Sequence, residues 1–228
     1  MVDMPRRALR RLVGRPFVAL VLVLSVGGAT AGTWASFSAA TSNNATFATG
    51  TLILSNDVDG DVATACFSTA AGQDIDGNDR DCDGLFPTAI HKPGDAATFA
   101  DVHIRNEGDL GGTLETHMAS CTNSDAGNGE QFHGTGLACS AVQFTIQENI
   151  AGNWTCVYGG TACAFDPTKT IADFVAAHGS FGAGLDLGAL AASTTRDFRV
   201  GVQLPGSAGN DMQGRAAVFG LVWRLVQS

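Results

Sequence analysis

The chain has 228 residues, with 22 acidic against 13 basic side chains and a formal charge of −9. That balance argues against nucleic acid as a partner and against adsorption to anionic lipid. Abundant glycine, scarce lysine and many short apolar runs set between turns are the composition of an all-β domain, not a helical one.

The N-terminus reads as an export signal. Arg6, Arg7, Arg10, Arg11 and Arg15 make a basic start, and Phe17 to Val26 is an apolar core too short to span a bilayer. Small residues then lead to Ala35, with Thr33 at the −3 position, so cleavage is expected between Ala35 and Ser36. The Arg6-Arg7 pair fits twin-arginine export, but the strongly apolar core, with no Ser or Thr before the pair, favours the general secretory route. The mature chain, 36–228, would carry eight basic and 21 acidic residues, a formal −13, and is long enough for one sizeable core.

Phe47 to Leu54 reads as the first strand, followed by acidic, turn-rich loops at 57–61 and 74–83. Lys92-Pro93-Gly94-Asp95 has the chemistry of a type II turn, because proline presets the first central φ and glycine supplies the positive φ needed next. Thr98 to Ile104 alternates, with Ala100, Val102 and Ile104 on one face, and Thr113 to Met118 is the expected neighbouring strand. Ser120 to Leu137 reads as a long loop. Val142, Phe144 and Ile146 mark a one-faced strand, paired with Trp154 to Tyr158 across a turn at Asn149–Asn153. Thr170 to His178 is the expected short helix, with Thr170 as N-cap, Asp173 in the first turn and Gly179 beyond the end. Phe198, Val200, Val202 and Leu204 alternate again. The closing run, Val218 to Val226, is apolar on both faces, the pattern of a strand that is central or becomes so when another chain adds beside it.

Three sets of residues resemble one family. Gly32-Thr33-Trp34-Ala35 followed by Thr46-Phe47-Ala48-Thr49-Gly50-Thr51-Leu52 is the first. Lys92-Pro93-Gly94-Asp95 with Asn106-Glu107-Gly108-Asp109-Leu110 is the second, and Asn210 with Gln213-Gly214 and Gln227 is the third. In that order they are similar to the TasA/camelysin family of exported biofilm fibre proteins. The resemblance implies a jelly-roll-like antiparallel β-sandwich, a fibre-forming role, and polymerisation by an N-terminal strand that inserts into the next subunit. It does not cover the cysteine-bearing segments 55–85 and 119–165.

Six cysteines in an exported chain read as a disulfide framework. Fifteen connectivities are open, and the expected one joins sequence neighbours: Cys66 to Cys82, Cys121 to Cys139, and Cys156 to Cys163. A zinc site is disfavoured by the absence of CxxC spacing. Asp57, Asp59 and Asp61, and separately Asp74, Asp76 and Asp83, are candidate Ca²⁺ ligands, since alternating carboxylates in a tight turn converge. The alternative reading of both loops is solvated turn chemistry. His103 and His117 would face each other if their strands paired, but no HExxH or nucleophile-elbow motif accompanies them, and the chain reads as non-enzymatic.

The expected function is a secreted structural subunit of extracellular or biofilm-matrix fibres, located in the matrix or at the cell surface. Residues 36–48 would be the donor strand, with Phe37, Phe47, Phe219, Leu221 and Trp223 as the assembly side chains. Its partner would be a second copy of itself in a head-to-tail polymer, with no membrane contact after signal cleavage. The rival readings are a camelysin-like extracellular metallopeptidase and a monomeric surface adhesin or binding module.

Overall fold

The computed structural model describes residues 50–68, 82–86, 91–126 and 134–227. The signal segment, the Ala35–Ser36 junction, Phe37, Phe47, Asp74 and Asp76 lie outside the described residues.

The described residues hold eleven strands: β1 (Leu54–Val58), β2 (Cys66–Phe67), β3 (Thr98–Asn106), β4 (Gly112–His117), β5 (Cys121–Asp125), β6 (Gln143–Ile150), β7 (Asn153–Tyr158), β8 (Leu185–Leu190), β9 (Thr195–Gln203), β10 (Arg215–Phe219) and β11 (Val222–Val226). Every pairing is antiparallel. One sheet has six strands in the order β2-β1-β3-β9-β6-β7; opposite it lie a three-stranded β11-β4-β8 sheet and a two-stranded β10-β5 ribbon. The all-β expectation therefore holds, and the core forms between the layers. Val102, Ile104, Phe144, Ile146, Phe198 and Val200 of the large sheet have no exposed surface, and Leu114 and Leu190 face them from the small one. Full burial of each such side chain stabilises by roughly 1.5–3 kcal/mol, so the period-two pattern of β3, β6 and β9 is enough to fix which face turns inward.

Helix α1 is the single turn Ala138–Ala141, and α2 is Ile171–His178. Helix α2 starts where its sequence says it should. The Thr170 hydroxyl accepts from the Asp173 amide while the Asp173 carboxylate accepts from the Thr170 amide, a reciprocal capping box. Ile171 and Phe174 are fully buried by it, with the Phe174 ring edge-on to Phe144 and Tyr158. The turn at 92–95 also forms as expected, with the Asp95 amide donating to the Lys92 carbonyl at 3.1 Å and Gly94 at φ +84°.

Four expectations change. Among the described residues the first strand begins at Leu54, where a strand over 47–54 was expected to end, and the acidic turn begins only at Asp59, because Asp57 and Val58 pair with His103 and Val102. Segment 113–118 does not pair with 98–104. The chain crosses between the layers after Asn106, so β4 joins β8 and β11 and the two histidines are carried to different sheets. Cys121 to Asp125 is a strand despite its polar sequence, since it pairs with β10 residue by residue. The closing run is two strands broken at Gly220–Leu221, and both are edge strands among the described residues. From Phe219 to Val222 the chain advances three positions while its partner goes from Cys121 to His117, four positions. That one-residue mismatch is a bulge, and it bends one long ribbon into two.

Candidate functional site

The broken ribbon presents an apolar edge. Ala217, Phe219, Leu221, Trp223 and Leu225 are half-buried and pack against the core. The Phe219 ring meets Phe144 edge-on at 6.1 Å between centroids, and the Trp223 ring lies 4.9 Å from Phe198. Val218 turns the other way and is 57% exposed. Among the described residues, β10 pairs only with β5 and β11 only with β4, so the outer edge from Arg215 to Val226 carries main-chain donors and acceptors with no strand beside them. Natural sheets blunt such edges with charge, proline or cover. This one presents Ala216-Ala217-Val218-Phe219 with no charge or proline inside the run, and among the described residues Phe86 packs on Phe219.

A second element fixes the start of the described chain next to the crossover. Asn106 is fully buried; its Nδ2 donates to the Leu110 carbonyl at 2.7 Å and its Oδ1 accepts from the Gly108 amide at 3.0 Å. Gly108 passes so close to Thr51 that a Cβ would fall 2.2 Å from the Thr51 carbonyl oxygen. The Asp109 carboxylate accepts from the Thr51 amide and hydroxyl, which holds it below the usual carboxylate range. The Asn-Glu-Gly-Asp-Leu motif is therefore a clasp on Thr51, just downstream of the N-terminal segment.

The acidic residues separate into private roles. The Asp57 carboxyl lies beside His103, and burial pushes it above its ordinary range, partly opposed by that imidazole and by the Gly60 amide. Asp59 Oδ1 accepts from the Asp101 amide at 3.3 Å, Asp61 Oδ1 from the Ala63 amide at 3.1 Å, and Asp83 from the Thr64 hydroxyl. Among the described residues no group of three His, Cys, Asp or Glu side chains is arranged to hold a metal ion. His103 Nδ1 is 2.7 Å from Asp197 Oδ1, while the His117 ring packs on Phe181 at 4.2 Å in the other layer. The two imidazoles thus share no site.

The cysteines pair between sequence neighbours, as the spacing predicted: Cys66–Cys82, Cys121–Cys139 and Cys156–Cys163. These bridges are compatible with an extracellular location, and no helix among the described residues is long and apolar enough to cross a membrane.

Three arrangements escaped the sequence. Arg196 grips Glu148 through Nε and Nη2 at 2.6 and 2.7 Å, both side chains largely buried. Arg199 stacks on Trp154 at 4.0 Å while its Nε donates to Asp101 at 2.8 Å. Leu85 and Phe86 lie against the core, with Phe86 at 6.2 Å from Phe219. The first two are cross-strand or diagonal pairs on known faces, legible only once strand order is known; the third has no sequence signal. Compared with models of known protein families and with curated proteins, the chain matches none, so the resemblance to the TasA/camelysin family rests on the three motifs alone.

Proposed function

We propose that this chain is an exported, jelly-roll-like structural subunit of extracellular or biofilm-matrix fibres, polymerising head to tail by donor-strand exchange. The donor is residues 36–48 of one mature subunit and the acceptor is the outer edge of β10–β11 in the next. The observation that carries this reading is that edge: among the described residues no strand lies along the outer side of 215–226, beside half-buried Phe219, Leu221 and Trp223.

Strand addition supplies backbone hydrogen bonds for affinity and alternate side chains for specificity. The lengths agree. Counted along the bent ribbon at roughly 3.3 Å per residue, the edge is about 40 Å long and the donor about 43 Å. Laid out as a strand, Phe37 and Phe47 are an even number of residues apart and share one face, with Ala39, Thr41, Asn43 and Ala45 between them. Two large anchors separated by short side chains suit a shallow apolar groove. The clasp on Thr51 lies three residues after the end of the proposed donor in the sequence. Because donor and acceptor are different surfaces, the contact is heterologous and does not close, which gives a filament.

Electron microscopy of the secreted mature chain, with and without residues 36–45, tests the proposal. The full mature chain, beginning at Ser36 by mass spectrometry, is expected to form fibres, and the truncated chain to remain a folded monomer. Fibres of equal yield from the truncated chain would overturn the donor-strand mechanism.

A further inference from the structure

We infer that Leu85 and Phe86 form a self-strap that occupies the apolar groove beside β10 in the free subunit and is displaced when a donor strand enters. The inference rests on the donor-strand reading above and adds the state of the acceptor before assembly.

The position of the segment motivates it. Phe86 sits against Phe219, the inward aromatic at the end of β10, and both Leu85 and Phe86 are half-buried against the core cluster. The same Phe219 is the central anchor of the open edge. The strap therefore covers Phe219, a side chain that an incoming strand would need.

The way the segment is held makes it displaceable. Among the described residues no backbone hydrogen bond joins Leu85 or Phe86 to β10 or to any other strand. Among the described residues it is held by side-chain packing, and no strand lies along the outer edge of β10 beside it. An arriving strand offers apolar side chains for the same groove together with the backbone bonds that the strap lacks. Exchange then favours the donor by the hydrogen bonds gained, while the strap surrenders contacts that the donor replaces.

The tether gives the strap its function. Cys82, three residues before Leu85, is bonded to Cys66 of β2, so a displaced strap stays attached to the subunit at high local concentration. It therefore competes with every donor strand and re-covers Phe219 when one leaves. Such competition keeps an exported subunit monomeric while dilute and lets it polymerise once neighbouring donors are abundant. A flat apolar edge with no cover would aggregate instead.

The test uses the mature chain 36–228 and probes the Gly84–Leu85 bond with thermolysin, which cuts before large apolar residues. Cleavage there is expected to be at least tenfold faster in fibres than in the monomeric chain lacking 36–45. The Leu85→Ser/Phe86→Ser variant should assemble with a lag shortened several-fold, and deletion of 36–45 should still abolish its fibres. If wild-type fibres form but the bond is cut equally slowly in both states, the strap is structural and the inference falls while donor exchange stands. An unchanged lag in the folded double variant has the same meaning. If that variant does not fold, the thermolysin comparison on the wild-type chain decides alone. If the wild-type mature chain makes no fibres, donor exchange itself fails and takes the strap with it.

Discussion

Replacing Asn106 by alanine tests whether the crossover between layers is held by one side chain. Asn106 is fully buried and makes two hydrogen bonds, to the Leu110 carbonyl and from the Gly108 amide. Alanine leaves both partners unmatched. A buried N–H without an acceptor costs about 1–3 kcal/mol, and losing the bond to the part-buried carbonyl costs about 0.5–1.5 kcal/mol, so the variant should lose roughly 2–4 kcal/mol. In a domain of this size each kcal/mol moves Tm by about 2–4 °C, which predicts a fall of roughly 4–16 °C. Urea titration and thermal scans of the mature chain measure both quantities. Asn106→Asp sharpens the test. At about pH 7 the introduced carboxylate has no proton to give the Leu110 carbonyl and should destabilise at least as much as alanine. When protonated it can donate as asparagine does. Its folded-state pKa is then raised above the unfolded value, so the penalty is absent below roughly pH 4 and develops as pH rises through the folded pKa. Stability relative to wild type should therefore recover near pH 3.5. A loss below about 0.5 kcal/mol for alanine, or an aspartate penalty equal at both pH values, refutes the reasoning.

Asp57→Asn removes a carboxylate whose pKa is raised chiefly by burial, so the folded state binds its proton more tightly than the unfolded chain does. The cost of its charge is absent below the unfolded pKa near 4 and appears as pH rises through the folded value; the variant should gain a few tenths of a kcal/mol at neutral pH after solvent screening, and nothing near pH 3. Chemical denaturation at the two pH values shows whether that difference exists. Removing Cys121–Cys139 by paired alanines opens an 18-residue separation and should cost about 3 kcal/mol in the chain-entropy model, against about 2 kcal/mol for the seven-residue Cys156–Cys163 loop. A reversed order in urea titrations of the two variants would mean that native-state strain, not loop closure, dominates.

Local chemistry was legible in the sequence wherever the deciding contacts are close in the chain. The α2 helix needs only Thr170 and Asp173 for its cap, and the 92–95 turn needs only Pro93 and Gly94. The inward faces of β3, β6 and β9 follow from a period of two, and the three bridges join sequence neighbours, the expected choice among fifteen open connectivities. Tertiary structure alone decided the rest, because register and strand order depend on partners roughly 100 residues away. The polar segment Cys121–Asp125 became a strand since Arg215–Phe219 offered it a complete ladder. The apolar closing run, which reads as one strand that is central or becomes so when another chain adds, is two edge strands among the described residues, because a one-residue mismatch with β4–β5 bends it at Gly220. His103 and His117 were parted because Asn106 and Gly108 send the chain across to the other layer. Composition and periodicity can say which residues seek burial, but they carry no information on which distant segment will cover them. For this chain that distinction falls on Phe219, whose need for cover is plain in the sequence and whose neighbour, Phe86, is visible only in the fold.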